Sequence, residues 1–109
     1  MTVENFASIS GFAISALPSP EKEVDGVYVG DLLSWVMGRA QSGNLWITIM
    51  SNVNVCAVAS LADISSIILA EGVTLEEDVL KVALEKGINV LCTDKSAYEA
   101  TLIAAKILK

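Results

Sequence analysis

The sequence has no histidine. The commonest general base and the commonest metal ligand at neutral pH are therefore missing. No Gly-x-x-x-x-Gly-Lys-[Ser/Thr] string occurs either, so no loop is set up to cradle a triphosphate with backbone N–H groups, a lysine and a magnesium-binding hydroxyl. Positive charge is scarce: 7 Lys and Arg stand against 13 Asp and Glu, for a net charge of −6. With no basic cluster, the chain is not expected to bind nucleic acid. Cysteine is limited to Cys56 and Cys92, far apart and each in apolar surroundings. Buried free thiols are expected, with a disulfide or metal pair as the alternative. Long apolar runs are missing too. The stretch from Leu45 onward is broken by Asn52, Asn54, Asp63 and Ser66 too often for a membrane span. Met1 to Ser10 lacks both a basic start and a long apolar run, so no signal peptide is predicted and a cytoplasmic location is expected.

What is present is apolar residue in excess. Of 109 residues, 53% are hydrophobic and 18% charged. The length suits one domain. A small domain has more surface than it can cover with polar groups, and surplus apolar residues tend to go into an interface, so a homodimer is expected. The alternative is a monomer whose sheet is covered on both faces.

The densest apolar block, Leu45 to Gly72, organises the rest. Leu45–Met50 and Ile64–Ala70 carry bulky residues without alternation, as strands buried on both faces do. Residues 51–62 between them are ambiguous. Val53, Val55 and Val58 favour strand. A cap at Ser51 or Asn52 would instead start a helix with Val53, Cys56, Ala57, Ser60 and Leu61 on one face. Helix is the reading adopted, because parallel strands need a crossover. Further strands are predicted at Phe12–Leu17, Val24–Val29 and Ile88–Cys92. Helices are predicted from Thr2 to Ile9, from an Asp31 cap, from a Thr74–Glu77 capping box ending at Lys86 and Gly87, and from a Ser96–Glu99 capping box to Leu108. Pro18 and Pro20 mark a charged loop. Alternating strands and helices over the last two-thirds predict a layered α/β domain with a mostly parallel sheet of four to five strands.

Several ordered patterns resemble one family. They are Gly26-Val27-Tyr28-Val29-Gly30-Asp31-Leu32-Leu33-Ser34-Trp35-Val36-Met37-Gly38, Trp46-Ile47-Thr48-Ile49-Met50, Asn52-Val53-Asn54 with Val58-Ala59-Ser60-Leu61-Ala62-Asp63, Ile67-Ile68-Leu69-Ala70-Glu71-Gly72, and Val90-Leu91-Cys92-Thr93. Together they resemble the DRTGG domain family, over essentially the whole chain, although no Asp-Arg-Thr-Gly-Gly string is present. The resemblance implies a fold similar to the N-terminal domain of HPr serine kinase/phosphorylase. It implies an accessory, dimer-forming or ligand-responsive module, as in regulated pyrophosphatases with paired CBS domains and in long phosphotransacetylases. For a stand-alone version it implies an association with iron-only hydrogenase and redox metabolism in anaerobic bacteria.

In open α/β sheets ligands bind beyond the carboxyl ends of the strands, where helix N-termini gather. The residues expected there are Gly30 and Asp31, Ser51, Asn52 and Asn54, Glu71 and Gly72 with Thr74, and Thr93 and Asp94. They form a candidate rim for a small polar or nucleotide-like ligand. The same residue types also serve as caps and turns. Asp31, Glu71 and Asp94 are three acids of a kind that could hold Mg²⁺, but they lie on three separate loops, and no metal or cofactor is expected. Ser34 and Ser51 have no partner signature of a nucleophile, and no catalytic residue is assigned. Lys22, Lys81, Lys86, Lys95, Lys106 and Lys109 read as solvated surface. In a chain with 6% aromatics, Trp35 and Trp46 are the candidate interface anchors, core packing being the alternative. The expected function is a non-catalytic regulatory module binding a small ligand or a partner enzyme. A purely structural dimerisation protein is the alternative, and an enzyme of unrecognised type comes last.

Overall fold

The computed structural model describes residues 1–109. In chain order the elements are α1 (Val3–Ser10), β1 (Ala13–Ala16), β2 (Val27–Val29), α2 (Leu33–Arg39), β3 (Leu45–Thr48), α3 (Asn54–Leu61), β4 (Ser66–Leu69), α4 (Glu77–Lys86), β5 (Val90–Cys92) and α5 (Ala97–Leu108). The five strands form one sheet in the order β1-β5-β4-β3-β2. β2 to β5 are parallel neighbours, and β1 runs antiparallel beside β5. The fold is thus a layered α/β domain with a mostly parallel five-stranded sheet.

The central strands are apolar throughout because each residue has a packed face to enter. On β3, Trp46 joins the core beneath α2, α3 and α4, while Leu45 and Ile47 join the core beneath α1 and α5. On β4, Ile67 and Leu69 face the first core and Ile68 the second; Leu91 of β5 also faces the second. The period-2 geometry of a strand splits one hydrophobic run between two layers. Phe6 of α1 meets Phe12 edge-on, with ring centroids 5.9 Å apart, and anchors the second layer.

Several local signals act as expected. The Thr2 side chain caps α1, and Gly11 ends it in the left-handed region. Gly87 ends α4 at φ 73°. Ser96 and Glu99 form the reciprocal capping box of α5. Residues 54–61 are helical, and the parallel β3–β4 pair supplies the reason.

Other expectations are corrected. The face of α3 predicted to be buried is turned outward except for Cys56; Val55, Cys56, Val58 and Ala59 are the buried residues. Val55 and Val58 take the core side with Cys56 and Ala59, while Val53 and Leu61 of the expected face stay exposed. The second strand covers only Val27–Val29, because Gly26 sits at φ 78° and turns the chain. Val24 instead donates its N–H to Met1 O at 2.8 Å. The Thr74–Glu77 box does not form: α4 begins at Glu77, its N-cap Glu76 makes no side-chain capping bond, and residues 73–76 run on as a loop. Leu75 packs from that loop against the core, and this holds the segment out of the helix. Asp31 does not cap α2 either; the cap position is Leu32, with no side-chain bond.

Candidate functional site

Four parallel strands deliver their carboxyl ends to one side of the molecule. The loops after β2, β3, β4 and β5 therefore gather there, joined by Gly11–Ala13 at the start of antiparallel β1. Two of these loops are tied down by their own side chains. Asp31 Oδ1 accepts from Thr48 Oγ1 at 2.7 Å and from Ile49 N at 3.0 Å. Trp46 Nε1 donates to Gly30 O at 2.8 Å. Gly30 and Asp31 thus clasp the end of β2 to β3, and their polar groups are engaged within the chain. Trp46 is 0% exposed, so it is a core residue and not an interface anchor. Its indole fills the layer beneath the helices while its single donor finds a carbonyl, which is what burial of a Trp requires. Trp35 is 51% exposed on α2, with the Arg39 guanidinium 3.7 Å from its ring centroid.

After β3, Asn52 Oδ1 accepts from Asn54 N at 2.9 Å and shapes the entry to α3. Ser51, Asn52 and Val53 face Glu76, Asp78 and Val79 across a shallow depression of about 380 Å³. Asn54 is the first, exposed residue of α3.

The loops after β4 and β5 are built differently. Glu71 lies at φ 61° and Gly72 at φ 75°. Two successive left-handed residues, one of them not glycine, carry a backbone cost of roughly 1–2 kcal/mol at the glutamate. Bonds to the neighbouring loop hold them there. Glu71 N donates to Lys95 O at 2.8 Å, Gly72 N to Thr93 O at 3.0 Å, and Thr93 N to Leu69 O at 2.9 Å. Ala97 N donates to Glu71 Oε2 at 3.3 Å, so the glutamate also covers the start of α5.

Between these loops and the start of β1 opens a cleft of about 390 Å³ lined by Gly11, Phe12, Ala13, Gly72, Val73, Thr74, Cys92, Thr93 and Asp94. Its position follows from the topology. The chain leaving β4 turns into α4 on one face of the sheet, and the chain leaving β5 turns into α5 on the other. Adjacent strands whose connections diverge to opposite faces leave a crevice between them, the place where open α/β sheets bind ligands. Among the rim residues expected from the sequence, Gly72, Thr93 and Asp94 line this cleft, together with Thr74. Gly11, Phe12, Ala13, Val73 and Cys92 were not anticipated; the first three enter because β1 runs antiparallel beside β5, which no local signal specifies, and Val73 and Cys92 enter from the loop after β4 and the end of β5. Cys92 is 8% exposed, and its Sγ lies 2.9 Å from Ser15 Oγ. Cys56 is fully buried, and burial pushes its thiol pKa up, only partly offset by the charge of Lys86.

The three acids considered for Mg²⁺ do not gather, and no three acidic or thiol side chains converge anywhere in the chain. At the opposite end of the sheet, Lys22, Glu23, Asp25, Ser42, Gly43, Asp63 and Ser65 line a depression of about 330 Å³ that contains no hydrophobic side chain. Its key groups are partnered internally. Ser42 donates to Asp63, and Lys22 Nζ reaches Asp63 Oδ1 and Ile64 O, each at 3.2 Å. The Ser42 hydrogen bond first, then Lys22, holds the Asp63 carboxyl below its ordinary range. Lys22 is thus not simply solvated surface, and this depression is a structural network without an apolar wall.

No curated protein matches this sequence. Among solved structures, the chain is similar to the CBS and DRTGG domains of the regulatory region of Clostridium perfringens pyrophosphatase, complexed with the activator diadenosine tetraphosphate. The TM-score is 0.72 and the identity 16%, over 94% of this chain and 45% of that one. The chain therefore spans less than half the length of that structure, and the likeness is one of fold. A family profile, described as DRTGG domain, matches residues 9–107. With the matched residues running through all five strands, the chain belongs to the DRTGG domain family.

Proposed function

We propose that this chain is a regulatory or accessory module, not a catalyst, and that it binds a small nucleotide-like ligand in the cleft beyond β4 and β5. The observation that carries this reading is the position of the cleft: it lies where the connections from two adjacent parallel strands diverge, and strained backbone at Glu71-Gly72 forms its edge. Gly72, Thr93 and Asp94 are its central contacts, with Ser51, Asn52 and Asn54 in the neighbouring depression as a secondary region. Gly30, Asp31 and Glu71 shape the rim. The pyrophosphatase region of similar fold, built of CBS and DRTGG domains, was captured with a dinucleotide activator, which supports a nucleotide-responsive role for a module of this kind. The absence of histidine and of a phosphate-binding lysine loop supports a role without chemistry. The assembly in this reading is a homodimer with Trp35 in its interface, working with a partner enzyme of energy or redox metabolism, as the family resemblance implies.

Differential scanning fluorimetry against nucleosides and nucleotides tests the ligand role. Binding raises the melting temperature in proportion to ligand excess over Kd. The expected result is a rise with at least one of them that is lost in Thr74→Ala combined with Asp94→Ala. A flat response across the whole panel would sink the proposal.

A further inference from the structure

The cleft has a chemistry of its own, and it is unsuited to phosphate. Its only charged lining group is Asp94, an anion. Lys95 follows it in sequence but does not line the cleft. Most backbone donors of these loops are already used: Glu71 N donates to Lys95 O, Gly72 N to Thr93 O, Val73 N to Ala70 O and Thr93 N to Leu69 O, so of this segment only Thr74 N and Asp94 N stay open, the latter on the residue that carries the anion. The two helix N-termini nearest the cleft are also occupied by the protein's own acids. At α5, Ala97 N donates to Glu71 Oε2, and Ser96 N to Glu99 Oε1 at 3.2 Å. At α4 the first turn carries Glu77 and Asp78 behind Glu76. The net charge of −6 adds a general repulsion of polyanions.

Among the side chains left over, one carboxylate accepts hydrogen bonds, one hydroxyl can accept or donate, and the rest offer apolar surface. The Asp94 carboxylate is exposed and makes no bond within the chain, and the Thr74 hydroxyl is likewise free. Phe12, Ala13, Val73 and Cys92 supply an apolar wall. An acceptor beside an apolar wall suits a flat, uncharged ring system that carries donors. A carboxylate at this end of a parallel sheet is well placed for a ribose diol or an exocyclic amine.

We infer that the cleft recognises the nucleoside part of its ligand and excludes phosphate. This rests on the cleft being the ligand site proposed above. The specificity is set by Asp94, which accepts from the ligand's N–H or O–H donors and repels phosphate.

Isothermal titration calorimetry on the full chain at low salt, with the four ribonucleosides each compared with its own triphosphate and with inorganic pyrophosphate as a separate probe, tests this. The best-bound nucleoside is expected to bind about tenfold more tightly than its triphosphate, and pyrophosphate to give no heat. Asp94→Asn is expected to weaken nucleoside binding about tenfold, the scale of one charge-assisted hydrogen bond, with an unchanged melting temperature. Asp94→Lys is expected to invert the preference toward the triphosphate. A triphosphate or pyrophosphate binding as tightly as the nucleoside, or an Asp94→Asn variant that binds nucleoside undiminished, overturns the inference while leaving the cleft as a ligand site. Absence of binding by every probe overturns both.

Discussion

Asp31 shows how a residue type underdetermines its role. From the sequence it is a good N-cap, placed just before an apolar helical pattern. In the fold its carboxylate reaches across to β3, where Thr48 is 1% exposed and its hydroxyl has to find a partner. A buried hydroxyl without a partner costs more than an unused cap position, so the tertiary bond prevails. Asp31→Ala should therefore destabilise the fold by about 1–3 kcal/mol, since it removes the acceptor of both the Thr48 O–H and the Ile49 N–H, leaving Thr48 Oγ1 only the bond it accepts from Met50 N. Urea unfolding followed by tryptophan fluorescence would measure this directly, because Trp46 lies two residues away in the same strand. An unchanged midpoint would mean that water replaces the carboxylate at no cost. Asn89 carries the same lesson. It is a buried amide whose Nδ2 donates to Ser19 O and Ser65 O, while its Oδ1 accepts from Ser19 N. It fastens the proline loop to the amino end of the sheet, and nothing in its local sequence distinguishes it from an ordinary strand asparagine.

Two capping boxes can be read in the sequence, and only one forms. Ser96 and Glu99 satisfy each other's backbone groups at the start of α5. Thr74 and Glu77 have the same spacing, but their segment is drawn along the sheet end by Val73 and Leu75, which pack on the core. Local hydrogen-bonding potential loses to apolar burial where the two compete. The expected contrast is clear: Ser96→Ala should cost about 1 kcal/mol, whereas Thr74→Ala should stay within about 0.5 kcal/mol of the parent. Paired thermal or chemical denaturation would show it, and equal losses for the two variants would mean that Thr74 caps α4 after all. In α3 the spacing allowed a face through Val53, Cys56 and Leu61, but Val55 and Val58 took the core side.

At the scale of the whole molecule, the apolar surplus is absorbed mainly by covering the sheet on both faces. A remainder stays outside: Trp35 on α2, with Leu32 and Met37 nearby in sequence, and Tyr98 and Leu102 on α5. Light scattering at micromolar concentration should give about twice the 11.5 kDa chain mass, and Trp35→Asp should return it to one chain. A parent mass near 11.5 kDa would remove the homodimer from the proposed assembly. Composition, the central strands Leu45–Thr48 and Ser66–Leu69, the parallel α/β pattern and the places of the loops at the strand ends could be read from the sequence, because continuous apolar runs and helix stop signals act through near neighbours along the chain. The family could be read for the same reason, being carried by ordered local patterns. Other features depended on groups brought together from distant parts of the chain: the antiparallel course of β1, the burial of Trp46 with its bond to Gly30, the clasp of Asp31, and the closing of one rim segment into a cleft between Gly11–Ala13 and Asp94. Local sequence fixes which residues seek burial and which can turn. Only packing decides which partner each finds, because the free energy of a buried contact belongs to both of its members.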